Sequence, residues 1–216
     1  MLLVTSSDRE GYLLSAKTML KTLSENCNLP VTAYTEDAIT FQNATTKQLK
    51  DIPGWQSFQD HTKEFTPETY LFMAGKFSHK VYAQLDAFKS GHRYVVWLDA
   101  DIVVTGKITA RFLKRLVEDY FCAYLGRQDC HTETGFLIFD TVHPDFPIFV
   151  ERYAAMYNER RLFMLPYWTD CHAFDKSRKG LQAINLTPDA EGIMDVFGQS
   201  PIGHLMRHNK GALKFL

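Results

Sequence analysis

The run Tyr94-Val95-Val96-Trp97-Leu98, followed at once by Asp99-Ala100-Asp101, decides how this chain is read. A continuous apolar stretch with β-branched and aromatic members marks a strand covered on both faces, the kind found inside parallel sheets. In open α/β sheets, ligands bind in the crevice beyond the carboxyl ends of such strands. Two carboxylates at i and i+2 of an extended chain point to the same side. Oxygen donors placed this way suit a hard divalent cation, Mn2+ or Mg2+, which leaves coordination positions for substrate phosphate oxygens.

The pattern continues on both sides of this run. Upstream, Leu2 to Thr5 is a short apolar run ending in small polar residues. Tyr12, Ala16, Met19, Leu20 and Leu23 then recur at helical spacing until Asn26 and Pro30. Val31-Thr32-Ala33-Tyr34 reads as a second strand. Residues 40–67 carry little signal beyond the Pro53-Gly54 turn and the anchors Trp55 and Phe58. Phe77, Val81, Leu85 and Phe88 define a helix stopped by Ser90-Gly91. Downstream, Phe112, Leu113 and Leu116 predict a helix, 121–125 and 134–139 two strands, and 144–157 another helix, with an irregular remainder. Strands alternating with helices predict one α/β domain with a mostly parallel central sheet flanked by helices.

Composition narrows the function. The 216 residues, 45% apolar and 23% charged, suffice for one domain with its own core. Lys and Arg number 24 against 25 Asp and Glu, a balance that excludes a general nucleic-acid binder. Cys27, Cys122, Cys130 and Cys171 include no C-x-x-C pair, so a reducing compartment is expected. No segment approaches the ~20 apolar residues of a membrane span, and the first residues lack the features of a signal peptide. A soluble, cytoplasmic protein of bacterial or viral type is therefore expected.

Four blocks in order are Val4-Thr5-Ser6; Lys76-Phe77-Ser78-His79-Lys80-Val81 leading into Val95 to Asp101; Glu133-Thr134-Gly135-Phe136-Leu137-Ile138-Phe139; and His204 with Lys210-Gly211. Together they resemble the GT-A glycosyltransferases, nucleotide-sugar enzymes with a single Rossmann-like α/β domain. The resemblance implies a nucleotide-binding half over about 1–103, ending in the D-x-D, and an acceptor half with a closing tail over about 104–216. It implies transfer of a sugar, a hexosyl group in the expected case, from a nucleoside-diphosphate sugar to a carbohydrate or other hydroxyl acceptor. UDP is the favoured nucleotide. Asp99 and Asp101 would hold the cation that meets the diphosphate. Thr5 and Ser6 would lie at the base, and Thr134 and Gly135 would floor the sugar pocket. Lys80, beside the apolar stripe of its helix, is placed to reach phosphate or sugar.

The tail is similar to the H-x-x-G-x-x-K-P-W of glycogenin-like retaining enzymes. That similarity implies His204 as third metal ligand, Lys210 on the diphosphate, closure over the donor and retained configuration. Arg207 stands where the pattern has glycine, and Gly211-Ala212 where it has Pro-Trp. Tyr167-Trp168-Thr169-Asp170 combines stacking faces with an acid, as carbohydrate sites do. Asp170 is expected either to activate the acceptor or to orient donor hydroxyls.

Two other function classes fit the same residues. Asp99-Ala100-Asp101-Ile102-Val103 matches the D-x-D-x-[TV] of haloacid-dehalogenase-type phosphatases, though that motif normally lies near a chain's start. A non-catalytic nucleotide-sugar-binding module would keep the two aspartates without an acceptor pocket. The repeated tripeptide at Asp129-Cys130-His131 and Asp170-Cys171-His172 brings zinc to mind, but neighbours in extended chain point to opposite sides.

Overall fold

The computed structural model describes residues 1–191 and 196–209. Strand β1 (Leu2–Ser6) leads through a helical turn (Arg9–Gly11) and a π-helical stretch (Tyr12–Ala16) into α1 (Lys17–Asn26). Next come β2 (Val31–Thr35), β3 (Thr45–Gln48), α2 (Trp55–Thr62) and α3 (Ala74–Ala87). The central run forms β4 (Tyr94–Leu98), followed by the short β5 (Ile102–Val104) and α4 (Ala110–Val117). Strands β6 (Cys122–Arg127) and β7 (Cys130–Asp140) make a hairpin, and α5 (Phe146–Asn158), α6 (Asp170–Arg178), β8 (Ala183–Asn185) and β9 (Met206–His208) complete the order.

Seven strands form one sheet in the order β3-β2-β1-β4-β7-β6-β8. Only β7 runs against the others, pairing antiparallel with both β4 and β6. A mixed α/β domain with a mostly parallel sheet is therefore what forms. The sheet is covered on both faces, which explains why β4 reads as unbroken apolar sequence. Val95 and Trp97 pack into one core with α3 and α5, while Tyr94, Val96 and Leu98 pack into the other with α1 and α4. β1 and β4 lie side by side and parallel, with Val4 opposite Trp97. Their carboxyl ends therefore open at one place, where the strand order reverses direction.

Three departures from the sequence reading have local causes. Residues 40–67 contain an edge strand and a helix. α2 starts at Gly54, whose φ of +88° is open to glycine, and is held by buried Trp55 and Phe58. The segment after 160 is more ordered than expected, because Thr169 caps α6 by accepting from the His172 N–H at 3.3 Å. Finally, β5 and β9 pair antiparallel across about 100 residues of chain, a ladder that no local pattern announces.

Candidate functional site

β4 ends at Leu98, and the chain turns immediately. The Asp99 N–H donates to the Gly135 carbonyl on β7 at 2.9 Å, and the Ile102 N–H donates to the Asp99 carbonyl at 3.2 Å. The two aspartates thus converge through a turn and not through an extended segment. β5 then pairs with β9 so that Ile102 faces His208. His208 Nε2 lies 2.8 Å from Asp101 Oδ1 and 3.9 Å from Asp99 Oδ2. Among the described residues, Asp99, Asp101 and His208 are the one group of His, Cys and carboxylate donors gathered within 4.8 Å. Two carboxylates and an imidazole form a donor set that fits Mn2+ or Mg2+.

His208, and not the expected His204, is the histidine brought to the aspartates. His204 sits in the turn before β9, exposed, with its ring 6.3 Å from Phe112. The ladder fixes which side chain arrives, since it sets His208 opposite Ile102, the residue that follows Asp101. Gly135 makes the approach possible. A Cβ at that position would meet His208 Cε1 at 2.8 Å, closer than real contacts allow. The isolated glycine in a core strand therefore marks the passage of a side chain. Beyond the ring stands Glu133, with Oε1 3.7 Å from His208 Nδ1 and accepting from the Gly135 N–H at 2.9 Å. At that distance the carboxylate faces the ring without a hydrogen bond to Nδ1, which is buried without a hydrogen-bond partner among the described residues. Glu133 was not a sequence candidate, although it lies two residues before the glycine that was.

Lys80 on α3 joins the cluster from the other side. Its Nζ is 2.8 Å from Asp99 Oδ1 and 2.8 Å from Asp170 Oδ2, and it donates to the Thr134 carbonyl and Oγ1 at 3.2 Å. Thr134 Oγ1 in turn donates to Asp170 Oδ2 at 2.5 Å, and Trp97 Nε1 donates to Asp99 Oδ1 at 2.7 Å. Burial alone would pull the Lys80 ammonium down, but Asp170 and Asp99 outweigh it and hold its pKa well above the usual range. Burial raises the Asp99 carboxyl above its ordinary value despite Lys80 and His208 beside it. Asp99 and Asp170 flank the Lys80 ammonium and Asp101 adds a third carboxylate beside His208, so a dication would balance the charge of the three acids and one lysine.

The remaining sequence candidates distribute as follows. Thr5, at the end of β1 and adjacent to the end of β4, is buried, and its Oγ1 makes no hydrogen bond. Ser6 follows it, opposite Tyr34 of β2. Asp170 is buried at the start of α6, two residues after the half-buried Trp168. Lys210 lies outside the described residues. The last described contact before it is the Asn209 N–H, which donates to the Asp101 carbonyl at 2.9 Å. The two Asp-Cys-His tripeptides do meet, with His131 and His172 rings 5.0 Å apart, but Cys171 Sγ turns toward Thr134 Oγ1 at 3.4 Å.

Comparisons bear on the frame that carries these residues. Neither a protein-family model nor a curated protein sequence matches the chain. Solved structures do. The chain is similar to an active-site mutant of LgtC, at 12% identity and a TM-score of 0.51, over 87% of this chain and 73% of that one. It is similar to the bifunctional glycosyltransferase WbbM, at 12% identity and a TM-score of 0.57, over 98% of this chain and 46% of that one. Mouse xyloside xylosyltransferase 1 aligns at 10% identity and a TM-score of 0.51, over 90% and 85% of the two chains. The chain has the GT-A fold. It spans about half the length of WbbM. Among the described residues no helix is long and apolar enough to cross a membrane. Counted from His208, the spacing H-x-x-G-x-x-K is met by His208, Gly211 and Lys214. The pattern thus begins four residues after His204. Gly211 and Lys214, like Lys210, lie outside the described residues.

Proposed function

We propose that this protein is a metal-dependent glycosyltransferase moving a sugar from a nucleoside-diphosphate sugar, UDP-linked in the expected case, to a hydroxyl acceptor. The observation that carries this is the Asp99–Asp101–His208 cluster at the carboxyl end of β4, beside the end of β1. Mn2+ or Mg2+ held by these three side chains would compensate the charge that builds on the departing diphosphate. Thr5 and Ser6 bind the nucleotide base. The unpartnered Thr5 hydroxyl, buried at the rim of the crevice, supports that role. Thr134 and Gly135 floor the donor sugar.

Lys80 keeps Asp99 and Asp170 in register and presents a fixed ammonium to the donor. Asp170 serves as a positioning carboxylate for the donor hydroxyls. Its Oδ2 is committed to Lys80 and Thr134, so a proton taken there would weaken both bonds. This supports leaving-group stabilisation, and retention, over strong base catalysis. Lys214, at the spacing that Lys210 was expected to fill, is the cation assigned to the diphosphate.

The test is a screen of nucleotide sugars for Mn2+-dependent hydrolysis, read as released nucleoside diphosphate. Hydrolysis of a UDP-sugar that stops in the Asp101→Ala variant is expected. Release of inorganic phosphate from phosphomonoesters, with no sugar nucleotide consumed, would return the phosphatase reading. NMR of the first product gives the stereochemistry: a β-linked product from an α-linked donor would promote Asp170 to general base.

A further inference from the structure

Beside the reaction centre, and unused by it, lies an aromatic cavity of about 170 Å3 lined by Phe65, Phe72, Phe163, Trp168, Gly75 and Lys76, among others. Its walls are rings held against one another. Phe65 and Phe163 stack at 5.2 Å, Phe163 and Trp168 meet edge to face at 4.9 Å, and Phe72 and Trp168 at 5.2 Å. Phe65 remains 38% exposed, and Tyr70 and Tyr167 nearby 57% and 40%. Clustered apolar surface of this kind marks a binding site. An apolar cavity of roughly 150 Å3 holds one six-membered ring.

Two short covalent paths tie the cavity to the carboxylate cluster. Along α3, Lys76 at the cavity and Lys80 at Asp99 are one turn apart, about 6 Å of helix rise. Along the other strand of the path, Trp168 in the wall precedes Asp170 by two residues, and its N–H donates to the Leu71 carbonyl at 2.9 Å. Tyr70 stands between the two places. Its ring packs on Phe77 at 4.9 Å and under Lys76 Nζ at 5.8 Å. Its phenol stays protonated at neutral pH and is a hydrogen-bond donor. Lys76 has no carboxylate partner among the described residues, and its ammonium is available to a ligand oxygen.

We propose that this cavity is the acceptor subsite, and that it binds a pyranose ring by stacking its C–H face on Phe72 and setting its edge against Trp168, which stands at 87° to Phe72, while Lys76 and the Tyr70 hydroxyl hold the ring's oxygens. The inference deepens the glycosyltransferase reading and rests on it for the word acceptor. Rings in the walls supply affinity for any pyranose face, and the two donors set which hydroxyl turns toward Lys80 and Asp170.

Saturation-transfer difference NMR with methyl β-D-galactopyranoside and methyl β-D-glucopyranoside tests it, in the presence of saturating UDP and Mg2+ to block the donor pocket. At least one glycoside should show transfer to its ring C–H protons. Phe72→Ala and Lys76→Ala should each weaken that binding about three- to tenfold. Calorimetric UDP binding should stay unchanged in both variants. Phe72→Leu, which keeps the apolar volume but not the ring, serves if Phe72→Ala fails to fold. Absence of any glycoside signal in the wild-type protein, or equal signals in all variants, overturns the subsite. If UDP does not bind at all, the proposed function fails, while the glycoside signals and their loss in the variants still decide the cavity.

Discussion

At Gly135 a single absent methyl group decides whether His208 reaches the aspartates. A Cβ there would lie 2.8 Å from His208 Cε1, so Gly135→Ala must push the imidazole out of the ligand set. We expect Gly135→Ala to weaken Mn2+-dependent UDP binding by about tenfold or more, on the order of the cost of a lost outer-shell partner. Calorimetry measures this. At Lys80 stability and site are linked. Its removal leaves Asp170, 3% exposed at its side chain, without a counter-charge. Lys80→Ala should therefore cost about 3–5 kcal/mol in urea unfolding, with part recovered by adding Asp170→Asn. Equal stability of Lys80→Ala and wild type would show that the ion pairs contribute nothing.

Among the elements, α3 carries both the site lysine and a pH-sensitive neighbour. Burial pulls the His79 imidazole down to about 4 from 6.5, with Asp8 and Asp37 opposing and Lys76 adding to the shift. Between these values the unfolded chain binds the proton that the folded one refuses. Stability is therefore full above about 6.5 and declines as pH falls toward 4. His79→Leu should flatten that limb, by an amount on the order of 3 kcal/mol in chemical unfolding across the window. An unchanged pH profile would mean that His79 titrates normally. α6 shows what sequence could not announce. Its buried face is only Asp170, Ala173, Phe174 and Ser177, too polar for a helical stripe, and its cap Thr169 lay in a stretch that reads as a loop. Thr169→Ala should cost about 1 kcal/mol, as lost caps do, and should reduce transfer because Asp170 is the first residue it secures.

For the whole molecule, what was legible follows from how far each signal travels along the chain. β4 and the D-x-D declared themselves because five buried residues lie in sequence. Helices α1, α3, α4 and α5 were legible from their apolar spacing. The antiparallel setting of β7 was not, since alternation on a doubly covered strand looks the same in either direction. β5, β8 and β9 are three residues each, below the length at which periodicity speaks. His208 belongs to that group. Only its ladder with β5 brings it to Asp101, across 107 residues, and the one local signal was the glycine spacing that starts at His208. Whether Asp99, Asp101 and His208 hold the cation that meets a nucleoside diphosphate is decided by titrating UDP into wild type, His208→Ala and His204→Ala with and without Mn2+. Mn2+-dependent binding is expected in wild type and His204→Ala and should fall at least about tenfold in His208→Ala, since losing a ligand costs no less than losing an outer-shell partner. Loss in His204→Ala with binding intact in His208→Ala would contradict that assignment.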